Sequence, residues 1–457
     1  MSDLEALLAD VVGADQVLPG EAVTEEYGHD EALGVEAGRP AFVVWPGETA
    51  EVAEVLRIAD AERIPVTARG SGTGLSGAAV PDEGGLVVCF ERMNAILEID
   101  TRNHVAVVQP GVTLAELDRR TAQDGLIYPI FPGESSASLG GTIATNAGGM
   151  HAVKYGVTRH QVLGLELALA GGSVMRTGGR YVKSSTGYDL TQLVIGSEGT
   201  LALVTEAILR LRPRVPLQAT LLAPFSTLAE VTAAIPRILA TGADPVILEY
   251  VDAITMATLV GHSDLELGVP EPIKAVTEAY LIVMLENTFA DRLEADVERV
   301  GELLAELGAA DVYVLPGASA RALITARERA FWAAKAAGVD AIVDTVLPRA
   351  DLAGFFTGLR EIGERHGSLI VGCGHAGDGN VHLSVFQPDP ATLSTVLHEI
   401  FAMAGAMGGA ISGEHGIGRE KGPYYRALED PAKLDLMWRI KQVFDPRGIL
   451  GPGVLFD

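Results

Sequence analysis

Hydrophobic and polar positions follow two rhythms along the chain. Between residues 40 and 215, short apolar runs rich in β-branched residues (FVVW, GLVVCF, HVAVVQP and GLELALAGG) predict strands. TAEVAEVLRIADAERI, whose apolar positions fall three and four apart, predicts a helix among them. Beyond residue 216, longer helical patterns (TLAEVTAAIPRILATG, ADRLEADVERVGELLAELG) alternate with strand-like runs (AYLIVMLE, ADVYVLPG, AIVDTVLP, SLIVGCGH). This texture predicts helices packed on an antiparallel sheet. LRPRVP at 211–216 parts the two regions, because two prolines interrupt either kind of element. The fold class predicted is α+β, with a helix and acidic lead-in over 1–35, a first domain over 36–215 and a second over 216–425.

Length changes this picture little: 457 residues are enough for two or three domains with ample cores. Charge changes it more. A formal net charge of −26 argues against sequence-independent binding to nucleic acid or to anionic membrane, both of which need a positive field. A local cationic pocket for a small anion is compatible with it. Cys89 and Cys373 lie far apart and suggest no disulfide framework, which fits a reduced, cytoplasmic setting. The acidic start lacks the features of a signal peptide, and no apolar run reaches the roughly 18 residues of a membrane span. Peripheral attachment at a membrane stays open.

Two glycine-rich stretches carry the first candidate chemistry. GTGLSG at 72–77 matches the dinucleotide-fold pattern, and IPVTAR before it reads as a strand. That pattern needs a helix directly afterwards, yet Pro81 and another strand-like run follow, so the Rossmann reading fails. A loop of glycines and hydroxyls can still cradle a diphosphate with backbone N–H groups. PGESSASLGGTIATNAGG at 132–149 is a second such stretch, and GSEGTLALVTEA at 196–207 places a tight turn before a strand-like run. Glycine turns in a loop-rich domain are the plain alternative.

GHAGDGNVH at 374–382 carries the second. A two-residue turn at Asp378-Gly379 would pair His375 with His382, with Cβ atoms roughly 5 Å apart. Two neutral imidazoles so placed can share a divalent metal, and two structural histidines at a turn are the alternative reading.

The three glycine stretches, in this order and spacing, resemble the FAD-binding domain of the vanillyl-alcohol oxidase and p-cresol methylhydroxylase superfamily. GCGHAGDGNVH, SGEHGIGREK and VFDPRGILGPGVLF resemble its branch of FAD-linked D-lactate dehydrogenases, glycolate oxidase D subunits and D-2-hydroxyglutarate dehydrogenases. The resemblance spans about residue 35 to 457. It implies a two-part FAD-binding domain, an α+β substrate or cap domain with an antiparallel sheet over 216–425, and a segment over 426–457 that returns to the FAD domain.

It also implies an FAD held by Arg69, Gly70, Ser71, Gly72, Thr73, Gly74 and Ser76, and by Pro132, Gly133, Ser136, Ser138, Gly140, Gly141, Asn146, Gly148 and Gly149, with Glu198 and Val204 nearby. The first loop has no histidine to tether a flavin, so the FAD is expected to be non-covalent. Gly451 stands where the family's closing motif usually has Asn.

His375, His382 and Glu414 match the branch's ligands for zinc or manganese, a three-donor set that leaves positions open for a substrate. By the same resemblance His415 is the base that takes the hydroxyl proton while hydride passes to the flavin. Arg327 matches the carboxylate-binding arginine, with Arg329 a weaker candidate. Arg419 and Lys421 read either as local positive potential or as a charged loop.

The expected activity is oxidation of a small D-2-hydroxy acid, of D-lactate or glycolate type, with a quinone, a cytochrome or an electron-transfer flavoprotein as acceptor. Phe331, Ile342 or Val343, and Ser384 stand where the hydroxyglutarate enzymes carry polar or cationic partners for a second carboxylate. Their replacement would strand that carboxylate unpaired. A dicarboxylate dehydrogenase, an ether-lipid synthase and a metal-dependent hydrolase are the competing readings. A homodimer or membership of an oxidase complex is compatible with each.

Overall fold

The computed structural model describes residues 3–262 and 265–456. In the N-terminal half, a four-stranded sheet runs in the order Val17–Pro19, Phe42–Val44, Leu86–Cys89, Val66–Arg69, and its last three strands are parallel. The helix Thr49–Glu62 covers it, burying Val52, Val55, Leu56 and Ala59 against Val44, Val66 and Val88. Those helix positions are spaced by three, one and three, which is one face of an α-helix. No helix follows Arg69: residues 70–80 form an irregular loop that leads to the strand Leu86–Cys89.

A five-stranded antiparallel sheet adjoins, in the order Ile96–Asp100, Val105–Val108, Leu203–Arg210, Val162–Ala168, Val174–Gly178. Residues far along the sequence complete this half. Leu450 pairs in parallel with Val66, and Lys441 Nζ donates to the carbonyls of Thr200 and Leu450, each at 2.8 Å, and to the buried Asp445 carboxylate.

The second half is built on a seven-stranded, wholly antiparallel sheet ordered Tyr313–Leu315, Leu217–Phe225, Ala279–Asn287, Ile247–Asp252, Leu369–Gly374, Asn380–Phe386, Ala341–Val346. Both faces are covered. The helices Leu228–Ala240, Ala290–Glu306, Leu352–His366 and Pro390–Ala406 pack on one face through Ile235, Leu304, Phe355 and Ile400. Ala253–Gly261 and Gly317–Glu328 pack on the other through Met256 and Leu323. Double coverage explains why AYLIVMLE reads as an unbroken apolar run: Leu281 and Val283 face one core, Tyr280 and Ile282 the other. Each fully buried side chain of this size contributes about 2 kcal/mol. Among the described residues, no helix is long and apolar enough to cross a membrane.

Candidate functional site

The glycine stretches converge on one cavity of about 1340 Å³, counting its open mouth. Gly70, Ser71, Gly72, Thr73, Gly74 and Ser76 line it, as do Pro132, Ser138, Gly140, Gly141, Glu198 and Val204. A side chain at Gly70 would place its Cβ 1.9 Å from Ser138 Oγ, so the two loops approach as closely as backbone permits. Ser138 in turn caps the helix Leu139–Thr145 by accepting from Gly141 N.

Five expected residues support the cavity from outside it. Arg69 is buried and donates to the His29 carbonyl at 2.7 Å. The Ser136 carbonyl accepts from Ser71 Oγ, and Asn146 ends the same short helix in a left-handed conformation. Gly148 packs against Glu414, and Gly149 lies so near the Phe131 carbonyl that a Cβ would meet it at 1.8 Å. Gly133 lines a second cavity instead.

The two histidines meet, though not by the expected turn. Cys373, not His375, pairs with His382. The His375 carbonyl accepts from the N–H groups of Asp378, Gly379 and Asn380, which makes a wider loop than a two-residue hairpin. His375 leaves the strand with its ring folded back: the rings sit 4.8 Å apart at 83°, with the two Nε2 atoms 3.1 Å apart. Glu414 Oε1 lies 3.0 Å from His375 Nε2 and 3.1 Å from His382 Nε2.

Three donor atoms at these spacings fit around one divalent ion roughly 2.1 Å from each. Glu414 Oε2 is buried without a partner, so the set has donor capacity to spare. Asp344, His382 and His415 form a second converging trio, but Asp344 is already fully engaged by hydrogen-bond donors. The first trio is the better metal candidate.

Two carboxylates that were not singled out in the sequence organise the cluster. Glu249, wholly buried on the strand Ile247–Asp252, accepts from His375 Nδ1 at 2.6 Å. That bond holds a proton on Nδ1 and leaves Nε2 on the side of Glu414 and His382. Asp344, wholly buried on Ala341–Val346, accepts through Oδ2 from the N–H groups of Gly413, Glu414 and His415 and from Ser412 Oγ, at 2.8–3.0 Å. Its Oδ1 accepts from Asn380 Nδ2 at 2.7 Å. Lys421, 2% exposed, lies 3.7 Å from the same carboxylate, and Arg419 is engaged by Asp82 and the Pro452 carbonyl; both serve the loop rather than an open pocket.

Electrostatics follow from this packing. Burial alone would raise the Glu414 carboxyl, but His375 and His382 hold it below the usual carboxylate range. Burial disfavours charge on His375, yet Glu249 and Glu414 prevail and raise its pKa well above the ordinary value. Glu249 and Glu414 thus surround the imidazoles with negative potential, which a metal ion would meet by displacing protons from the ring nitrogens. His415, stacked on His382 at 5.1 Å, is pushed by burial down to about 4 despite Asp344. Glu198 is pushed by burial up to about 7 while it accepts from Ile417 N and Gly418 N.

Arg327, in the last turn of Gly317–Glu328, is buried, with Nη2 2.8 Å from Glu249 Oε2. This is a buried ion pair, and it leaves Nε without a hydrogen-bond partner. It lines the second cavity, of about 1220 Å³ with its mouth, together with His375, His382, Ile342 and Ser384. Val343 instead points into the opposite core, and Arg329 is exposed at the helix end. Leu75, Pro132, Glu414 and His415 line both cavities.

Known proteins share this architecture. The family described as FAD binding domain matches residues 40–178, and FAD linked oxidases, C-terminal domain, matches residues 216–455. An uncharacterized FAD-linked oxidoreductase of Mycobacterium tuberculosis is 56% identical over 456 residues, covering 100% of this chain and 99% of that one. The glycolate oxidase subunit GlcD of Bacillus subtilis is 36% identical, covering 99% of this chain and 97% of its own. Among solved structures, 4-ethylphenol oxidase from Gulosibacter chungangensis has a TM-score of 0.80 at 20% identity, over 100% of this chain and 97% of its own; this likeness shows the fold.

Proposed function

The chain belongs to the FAD-linked oxidases, the family that includes lactate, glycolate and hydroxyglutarate dehydrogenases, and from that premise we propose that it oxidises a D-2-hydroxy monocarboxylate to the 2-oxo acid. One observation carries the reading: Glu414 and His415 stand in the wall common to the FAD-domain cavity and the cavity of the imidazole cluster. A substrate seated among the cluster is thereby next to whatever occupies the first cavity.

Each residue then has a task. Arg327, held by Glu249 through Nη2, receives the carboxylate with the rest of its guanidinium, where Nε has no hydrogen-bond partner. His375, His382 and Glu414 would hold a zinc or manganese ion, whose charge makes the 2-hydroxyl more acidic. His415 takes the hydroxyl proton, held against His382 on one side and by Asp344 at its backbone. Bound FAD supplies the two-electron acceptor, passing electrons on to a quinone, a cytochrome or an electron-transfer flavoprotein. Apart from His415, no histidine or cysteine lines that cavity among the described residues, which supports non-covalent FAD.

A monocarboxylate is favoured because Arg327 is the one lysine or arginine lining the second cavity among the described residues, where Phe331 and Ile342 supply apolar surface instead. The test is the visible spectrum of the purified protein under anaerobic conditions, with D-lactate, glycolate and D-2-hydroxybutyrate added in turn. Bleaching of the flavin band by any of them supports the proposal. A yellow protein bleached only by D-2-hydroxyglutarate, or a colourless one that takes up no FAD, rejects it.

A further inference from the structure

The second cavity is much larger than the hydroxy-carboxylate end of a substrate requires. A three-carbon acid displaces three or four waters, about 100 Å³, against a cavity of about 1220 Å³ with its mouth.

Its walls say what the space suits. Arg327, His375, His382, Glu414 and His415 form one cluster, and the remainder, apart from Glu328 and a few hydroxyls, is apolar. Ile254 comes from the helix Ala253–Gly261, Ala333 and Ala334 from Ala330–Ala336, and Leu369 and Val371 from one strand of the sheet. The alanines face the cavity where larger residues would fill it. Ile254 and Leu369 remain 53% and 48% exposed while lining it, so the apolar surface continues to the mouth. A buried guanidinium and imidazole cluster joined to a long apolar wall matches a ligand with one charged head and an extended hydrocarbon remainder.

We infer that the substrate class is a D-2-hydroxy acid of medium length, its carboxylate on Arg327 and its alkyl tail along Ile254, Ala334 and Leu369. The inference rests on the head-group reading above and adds the tail to it. The expectation of a small acid came from the loss of partners for a distal carboxylate, which excludes a second charge but sets no limit on length.

Two measurements on the holoprotein test it across a series from D-lactate through D-2-hydroxybutyrate and D-2-hydroxyhexanoate to D-2-hydroxyoctanoate. The first is anaerobic flavin bleaching, giving an apparent Kd for each acid. The second is calorimetric binding of the matching 2-oxo acids, which cannot be oxidised. Kd is expected to fall about fourfold for each added methylene, and Ala334→Phe is expected to bring the octanoate-to-lactate ratio back toward one. A Kd that is flat or rising beyond four carbons, with lactate still bleaching the flavin, overturns the tail-length inference and leaves the head-group reading standing. Failure of every acid to bleach or bind overturns both.

Discussion

Asp344 Oδ2 lies 2.8 Å from the backbone nitrogen of His415, and the same oxygen gathers the N–H groups of Gly413 and Glu414 and the Ser412 hydroxyl. One buried carboxylate thus sets the backbone from which both a candidate ligand and the candidate base project. Asp344→Ala is expected to strand these donors and cost about 3–5 kcal/mol of stability. Thermal unfolding measures this, and metal content per protein molecule should fall with it. Should that variant fail to fold, Asp344→Asn keeps the shape and is expected to lose metal while remaining folded by circular dichroism.

Glu249 fixes the His375 tautomer from behind. Glu249→Gln is expected to weaken metal retention by about 10- to 100-fold, read by competition with a chromogenic chelator, with FAD content unchanged. Full metal retention would show that His375 is oriented by something else.

Arg327 is tied to Glu249 through Nη2 and keeps Nε without a hydrogen-bond partner in the same planar fork, a geometry that lysine cannot copy. Arg327→Lys is expected to lower kcat/KM by about 100-fold, mostly through KM, because the loss of a charged hydrogen bond is worth about 1.5–3 kcal/mol. A change confined to kcat would place the residue elsewhere in the reaction.

Gly70→Ala drives a Cβ into Ser138 Oγ and pushes the two cavity loops apart. FAD affinity is expected to drop about 5- to 150-fold, following from an overpacking cost of about 1–3 kcal/mol. The ratio of flavin to protein absorbance after gel filtration checks it.

Glu198 gives a pH signature. Its folded pKa is raised to about 7 from 4.5, chiefly by burial. A carboxyl raised in this way holds its proton more tightly in the fold than in the unfolded state. Its contribution is therefore complete below pH 4.5 and is withdrawn as the pH climbs through 7, by up to about 3 kcal/mol. Glu198→Gln should flatten that part of the melting-temperature profile between pH 5 and 8. An unchanged slope would assign it to other groups.

Much of this was legible in the sequence because it is local. Apolar periodicity marks the strands and helices of both halves, and the three glycine stretches announce an irregular, closely approached cavity. The two histidines could be paired from seven residues of separation, although the wrong register was expected: Asp378-Gly379 resembles a tight turn, whereas the His375 carbonyl draws three N–H groups into a wider loop. Glu249 and Asp344 were not legible in this way. Their partners lie 126 and 71 residues away, so only the fold reveals them. A faint signal did exist, since each is a carboxylate inside an otherwise apolar strand, ILEYVD and AIVDTV, where burial demands a partner. Cavity depth left no sequence trace, because alanines that open space read as ordinary helix material.

The pairing of Val66 with Leu450, and the reach of Lys441 to Thr200, carry a consequence for biogenesis. The parallel sheet behind the glycine loops remains incomplete until residues 441–450 have cleared the ribosome. While the second half is being synthesised, the nascent first half exposes an unfinished edge at Val66 and a Thr200 carbonyl without its lysine. Loading of the flavin should accordingly wait until that segment has been made.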